Sequence, residues 1–419
     1  MLIEVVTIGD ELLLGYTIDT NGAWLARELA QHGILVARRT SVGDGADEIA
    51  SGVGGALERT GAVITTGGLG PTSDDLTKPS IAQLFGREMY EDADVVASLR
   101  QRWASLGRKG EIPQSNLQQA LIPHGAVILA NGHGTAPGIW LEDTRGRWVA
   151  MLPGVPREMR GMFTDQLLPR LVQRLTGPPT VVRSHTIRTT GIAESALSDR
   201  IRGIAGLELE GLGLAYLPGW EGVDLRLTAR RMAAADADAK LARVAAVLRE
   251  AAGEHVYGEG NEDLAAAVLA ELRLAGKRIA VAESCTGGLL GARLTAIPGS
   301  SDVMLGGIIA YHNDVKVRAL GVRPETLQAH GAVSEETARE MAAGARRALG
   351  AEVGVSITGI AGPDGGTPEK PVGTVCIAAD VHGTVKSFRA IMIGDRQEIR
   401  QRSAQSALSL VRRSLRGSA

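Results

Sequence analysis

Apolar residues along the first 175 positions alternate between short runs that suit buried strands and 3.6-residue spacings that suit helices. Leu2–Ile8 is a β-branched run ending at Gly9. Thr20–His32 carries Trp24, Leu25 and Leu29 at helical spacing and stops at Gly33. Strand Ile34–Arg38, helix Asp44–Arg59, strand Ala62–Thr66 and helix Leu76–Phe85 continue the order. Val127–Leu129, Gly138–Leu141 and Arg147–Leu152 add strands, and Arg157–Leu175 reads as a long amphipathic helix. This alternation predicts an α/β fold with a mostly parallel sheet covered by helices. Gly177-Pro178-Pro179 then punctuates a boundary.

The pattern changes after that boundary. Strand Val181–Thr189, helix Glu194–Gly203, strands Gly213–Leu217 and Gly222–Arg230, and helix Ala233–Ala252 predict a small α+β module. A third unit opens with the helix Leu264–Ala275 and the strand Arg278–Ala282. It ends in the helix Gln397–Leu415, with Arg396, Arg400 and Arg402 near its start. The expected domains are residues 1–175, 176–257 and 258–419.

Composition narrows the function classes. The chain has 419 residues, 22% charged, with a formal charge of −2, so no global basic field attracts nucleic acid or an anionic membrane. Aromatics make up only 3%, which argues against a base-stacking platform. Two cysteines, Cys285 and Cys376, are too few for a disulfide framework. With no signal-like N-terminus and no long apolar run, the expectation is a soluble cytoplasmic protein without a membrane span. The 54 glycines show no collagen-like period and are expected in specific turns.

One such turn is Gly67-Gly68-Leu69-Gly70-Pro71-Thr72-Ser73-Asp74-Asp75, which follows a strand and precedes a helix. Glycines there let an anion approach backbone amides, and the carboxyl ends of strands in open α/β sheets are where ligands bind. Adjacent carboxylates repel a bare phosphate unless a hard divalent cation lies between them, so the loop suggests a metal-bridged phosphate site. It is also compatible with a simple helix cap by Thr72 or Ser73. The loop Gly9–Gly15 adds Asp10 and Glu11 at the same edge, and Leu152–Met159 adds Gly154 and Arg157 in a third strand-to-helix turn.

GDELLLG, TTGGLGPTSDD and LPGVPREM together resemble the N-terminal domain of the CinA family of competence/damage-inducible proteins, over roughly residues 1–172. The resemblance implies a three-layer fold like that of molybdopterin-binding proteins, followed by a KH-like middle module. It also implies hydrolysis of ADP-ribose to AMP and ribose 5-phosphate with Mg²⁺ or Co²⁺. On that reading Asp74, Asp75 and Asp10 would hold the metal, and Gly67, Gly68, Gly70 and Gly154 would face the substrate. The middle module is read as lacking a GXXG clamp, because Gly211-Leu212-Gly213 is too short, and no direct nucleic-acid binding is expected from its shape.

The third unit carries a second constellation. Strand Arg278–Ala282 runs into Glu283-Ser284-Cys285-Thr286-Gly287-Gly288 and then the helix Leu289–Thr295, which places Ser284 beside helix N-terminal amides suited to an oxyanion. A serine there also serves as a plain N-cap, and Cys285 is a further candidate nucleophile. Tyr311 ends another predicted strand and Lys316 follows five residues on. A lysine whose pKa is depressed can activate a serine, and a Ser/Tyr/Lys set suits amide hydrolysis without metal. The alternative makes Tyr311 a packing residue and Lys316 a solvated charge, with His312 another possible base. Gly359–Gly366, including Gly362, forms a glycine-rich wall between strands.

AESCTGG, the Tyr311–Lys316 stretch, HGAVSEET, SITGIAGPDGGT, KPVGTV and GDR resemble the CinA C-terminal domain along its whole length. The resemblance implies an α/β deamidase domain that converts nicotinamide mononucleotide (NMN) and water to nicotinate mononucleotide and ammonia, without a cofactor. Ser284 then matches the nucleophile, Tyr311 and Lys316 its activating partners, and Arg396 the substrate-binding or catalytic arginine, with Arg400 its rival. Amides near Thr286, Gly287 and Gly288 would steady the oxyanion, and Gly362 would help hold the phosphate. A homodimer is expected by resemblance only. The competing reading is a non-enzymatic interaction protein in DNA uptake or repair, or an enzyme with only the deamidase site live.

Overall fold

A computed structural model describes the chain except for residues 106, 108–109, 177–179, 205–206, 208, 210 and 418–419. The Gly177-Pro178-Pro179 boundary lies outside the described residues. Packing divides the chain into two compact units, Met1–Arg183 with Ala229–Ala239, and Ser184–Thr228 with Lys240–Ala419.

The first unit is built on a six-stranded sheet in the order Leu35–Val42, Leu2–Ile8, Ala62–Thr66, Trp148–Leu152, Gly138–Glu142, Val127–Leu129. The first four strands are parallel and the last two antiparallel. Both faces are buried, which explains why the central strands read as continuous apolar runs. Val63, Val149 and Met151 face one core, and Ile64, Ala150 and Leu152 the other. The expected helix Arg157–Leu175 is present in three pieces, Pro156–Met162, a π-type turn Phe163–Leu167 and Leu168–Gln173. The loop expected at Gly9–Gly15 contains a single helical turn, Asp10–Leu13. A helix absent from the sequence reading, Ala93–Ser105, buries Val95, Val96 and Leu99.

The middle sheet runs Gly213–Pro218, Val223–Met232, Val181–Thr189, Val256–Glu259. A Gly-x-x-Gly spacing does exist in this module, at Gly203-Ile204-Ala205-Gly206 after the helix Glu194–Arg202, which corrects the reading based on Gly211–Gly213. Ala205 and Gly206 lie outside the described residues.

The C-terminal sheet is five-stranded, Met304–Ile309, Ile279–Glu283, Val353–Gly359, Thr374–Val381, Thr384–Ile391. The first three strands are parallel and the rest antiparallel. Along Ile279–Glu283, Ile279 and Val281 pack into the core beneath helices Leu264–Leu274 and Arg396–Arg416. Ala280 and Ala282 turn to the opposite face, against the helix Glu335–Leu349. The small residues on that face allow close approach: a Cβ on Gly354 would lie 2.1 Å from the Ala342 carbonyl oxygen. The central strand thus delivers Ser284 to the carboxyl edge of a rigid parallel segment.

Candidate active site

The turn after Ile279–Glu283 is held from three sides. The Ser284 amide donates to the Ile357 carbonyl of the neighbouring strand at 2.9 Å, and the Gly287 amide donates to the Ser284 carbonyl at 3.0 Å. Glu283, only 1% exposed, folds its carboxylate under the start of the helix Leu289–Thr295. It accepts the amides of Gly288 and Leu290 at 3.1 Å each and of Gly291 at 2.8 Å. Gly287 and Gly288 sit at φ 60° and 97°, a region that favours glycine. The amides of Gly287 and Gly288 are therefore spent on the turn itself, which corrects the expectation that they face an oxyanion. The amides of Cys285 and Thr286 make no bond among the described residues, and the buried Thr286 hydroxyl has no partner there.

Lys316 lies in the helix Asn313–Leu320 and is 1% exposed. Its Nζ is 3.2 Å from Ser284 Oγ, and it donates to the carbonyls of Ala310 at 2.8 Å and Tyr311 at 3.3 Å. Two N–H bonds to carbonyls leave the lone pair of a neutral lysine facing the serine hydroxyl. Burial holds the Lys316 pKa below the ordinary lysine range, with the Cys285 thiol opposing. Lys316 is thus not a solvated helix charge.

Tyr311 is largely exposed, and its hydroxyl accepts from Arg396 Nη2 at 3.4 Å. Arg396 Nη1 donates to the Gly362 carbonyl at 2.5 Å, so Gly362 meets the arginine through its oxygen. Arg400 donates to the Thr286 carbonyl from Nη2 at 2.8 Å and Nε at 3.2 Å. Ser284, Lys316, Tyr311, Arg396, Gly362, Thr286 and Arg400 therefore form one connected group. Two other candidates do not serve it. Burial pushes the Cys285 thiol up to about 12, which removes it as a nucleophile. His312 caps its own helix, its ring accepting from the Asp314 amide at 3.3 Å, and faces solvent.

The first unit has a crevice of about 120 Å³ at the carboxyl ends of its parallel strands, lined by Thr7, Glu11, Thr20, Asn21, Thr66 and Gly154 among others. Asn21, which sequence reasoning passed over, bridges this edge: Nδ2 donates to Thr66 Oγ1 at 3.1 Å and to the Gly154 carbonyl at 2.7 Å. Its position at a helix start was the available signal. Gly67, at φ 115°, is required by close packing, since a Cβ there would lie 2.2 Å from the Ile8 carbonyl oxygen. Its amide donates to the Leu152 carbonyl at 3.1 Å. A Cβ on Gly68, at φ 63°, would meet the Thr77 hydroxyl at 2.1 Å.

The expected metal ligands are not brought together. Asp75 accepts the Gly70 amide at 2.7 Å on one oxygen, and the Thr72 amide and hydroxyl at 2.8 and 2.5 Å on the other. Asp10 and Asp44 cap each other, each amide donating to the other's carboxylate at 3.1 Å. Asp74 is exposed, as is Arg157. Short carboxylates beside loop amides satisfy those amides first. Among the described residues no three His, Cys, Asp or Glu side chains converge, so the side chains at this edge form no closed cage of metal ligands by themselves. The amides of Gly67 and Gly70 are likewise engaged rather than turned toward an anion.

No helix among the described residues is long and apolar enough to cross a membrane. Three family models match the chain: a probable molybdopterin binding domain over residues 4–173, a damage-inducible protein CinA KH domain over 184–258 and a CinA C-terminal domain over 261–415. A CinA-like protein of Gemmatimonas aurantiaca is 60% identical over 414 residues, spanning 99% of this chain and 96% of the relative. A CinA-like protein of Kosmotoga olearia is 42% identical over 415 residues, spanning 99% of each. The crystal structure of the competence/damage inducible protein CihA from Agrobacterium tumefaciens is 42% identical, covers 36% of this chain and 93% of its own, and has a TM-score of 0.36.

Proposed function

The chain belongs to the CinA family, and from that premise we propose that its C-terminal segment is an amidohydrolase converting NMN and water to nicotinate mononucleotide and ammonia. The observation that carries this reading is the buried Lys316 Nζ lying 3.2 Å from Ser284 Oγ. Ser284 Oγ attacks the carboxamide carbon while neutral Lys316 takes its proton, and the carbonyl electron pair moves onto oxygen. Collapse of that intermediate breaks the C–N bond as Lys316 returns the proton to the departing amine, which leaves as ammonia. Water then cleaves the acyl-serine ester through the same lysine and restores Ser284. The amides of Cys285 and Thr286 are the donors of this turn still available to the oxyanion. Arg396, anchored between Gly362 and Tyr311, faces the substrate, whereas Arg400 is committed to the Thr286 carbonyl and holds the turn.

Cleavage of ADP-ribose by the first unit is the second activity proposed. It is supported by family membership and by the crevice beside Asn21, Thr66 and Gly154. No step is assigned to a metal there. Both readings are tested by incubating the full chain with NMN, and separately with ADP-ribose and Mg²⁺ or Co²⁺, and measuring ammonia and AMP. Ser284→Ala is expected to abolish ammonia release and leave any AMP release intact. Ammonia released at the parent rate by that variant would remove Ser284 from the mechanism. No turnover of either substrate, with salt-sensitive DNA binding in its place, favours the interaction-protein reading.

A further inference from the structure

Two helices supply the candidate deamidase site. Leu289–Thr295 begins at the Ser284 turn, and Arg396–Arg416 carries Arg396 and Arg400 in its first turns. Arg400 already ties them together through the Thr286 carbonyl. One turn further along each helix, both are gripped by the same short segment of the middle module, Trp220-Glu221.

On the first helix, the Arg293 guanidinium lies over the Trp220 ring at 5.1 Å and within 3.9 Å of the Glu221 carboxylate. Arg293 is 10% exposed and donates to Asp263 at 2.6 Å, and its Nε and Nη1 have no partner among the described residues. On the second helix Gln405, 3% exposed, donates to the Glu221 carbonyl at 2.8 Å and to Thr190 Oγ1 at 3.2 Å. The segment is itself fixed from behind. Arg188 binds the Glu221 carboxylate, donates to Asp224 at 2.9 Å and lies over the Tyr257 ring. Gly222, at φ 149°, is packed so closely that a Cβ would lie 1.9 Å from the Thr189 carbonyl oxygen.

We infer that the Trp220–Glu221 segment is a positioning clamp for the C-terminal site: by gripping Arg293 and Gln405 it sets the spacing between the Ser284 turn and the arginines of the last helix. None of its residues touches the reacting atoms. The clamp fixes where Arg396 stands relative to Ser284, so loosening it weakens substrate binding before it affects proton transfer between Ser284 and Lys316. This consequence rests on the amidohydrolase reading, whereas the mechanical role of the clamp does not.

The test compares the full chain with Trp220→Ala and Trp220→Phe. The alanine variant loses the ring over a desolvated guanidinium, and its KM for NMN is expected to rise roughly threefold or more. Its kcat and the acid limb of its pH profile stay at the parent's, and phenylalanine restores most of the KM. Hydrogen exchange is read alongside. In Trp220→Ala the amides of 286–290 and 396–400 exchange about threefold faster or more, while those of Ile279–Glu283 keep the parent rate. An unchanged KM, a kcat that falls with the folded fraction at constant KM, or exchange that rises equally in the central strand overturns the clamp. If the parent shows no NMN turnover, the functional reading fails, and the exchange measurement still decides the clamp.

Discussion

Replacing Glu283 by glutamine isolates the group that holds the nucleophile's turn. The carboxylate takes three amides at the start of the helix Leu289–Thr295, two on one oxygen and one on the other. Glutamine keeps one acceptor. Oriented toward Gly288 and Leu290, it turns an NH₂ group against the Gly291 amide, at a side-chain position only 1% exposed. Losing a charge-assisted hydrogen bond there costs roughly 1.5–3 kcal/mol, and losing the negative charge at a helix N-terminus about 1 kcal/mol more. The sum is about 3 kcal/mol, or a fall of roughly 6–12 °C in the melting of a unit this size. Scanning calorimetry is the assay, because two compact units can melt separately and only one transition is expected to move. NMN turnover is expected to fall with it, since the same turn carries Ser284. A variant melting within about 2 °C of the parent at full kcat would refute the assignment of Glu283 as the residue that holds this turn.

Two further outcomes follow from buried lysines. Lys316 must be neutral to accept a proton, so the NMN rate falls as pH drops through its pKa; because burial lowers that pKa, the acid limb lies below the range of an ordinary lysine. Lys316→Arg, which cannot deprotonate, is expected to lose about 10²–10⁴-fold in kcat at every pH, and a rate near the parent's contradicts the general-base role. Lys78 donates to the carbonyls of Gln118 and Gln119 at 2.9 and 3.0 Å, and burial brings its pKa down to about 8 from 10.5. Between those values the unfolded chain binds the extra proton, so stability rises with pH across that window and is lowest below pH 8, by about 3 kcal/mol at most. Urea midpoints taken below and above the window test this: the rise is expected in the parent and absent in Lys78→Met, and an equal rise in both removes Lys78 as its source.

What could be read from the chain depended on how local the physics was. The inner parallel strands Leu2–Ile8, Ala62–Thr66, Trp148–Leu152 and Ile279–Glu283 were legible because they are buried on both faces. Ser284 was legible because a strand, a glycine pair and a helix meet there. Ala93–Ser105 was not, since its buried face is only Val95, Val96 and Leu99, among charged residues such as Arg100 and Arg102. Lys316 was readable as a candidate but not as a buried one, because the carbonyls of Ala310 and Tyr311 become its partners only once the helix Asn313–Leu320 turns back. Asp75 misled for the same reason: adjacency to Asp74 suggested shared ligation, whereas its donors are the Thr72 hydroxyl and amide and the Gly70 amide, three and five residues earlier in its own loop. Glu283 stood inside a recognised motif and attracted no role, since a carboxylate at a strand end gives no sign in sequence of the helix start it will underlie.

That carboxylate also bears on how the site lets go. The proposed reaction turns a neutral carboxamide into an anion, and an open helix start would attract that anion and slow its departure. With Glu283 already seated beneath the amides of Gly288, Leu290 and Gly291, the Ser284 turn offers the newborn carboxylate repulsion instead. Substrate and product share the phosphate but differ in this one charge, so the turn favours the molecule that has yet to react and helps clear the one that has.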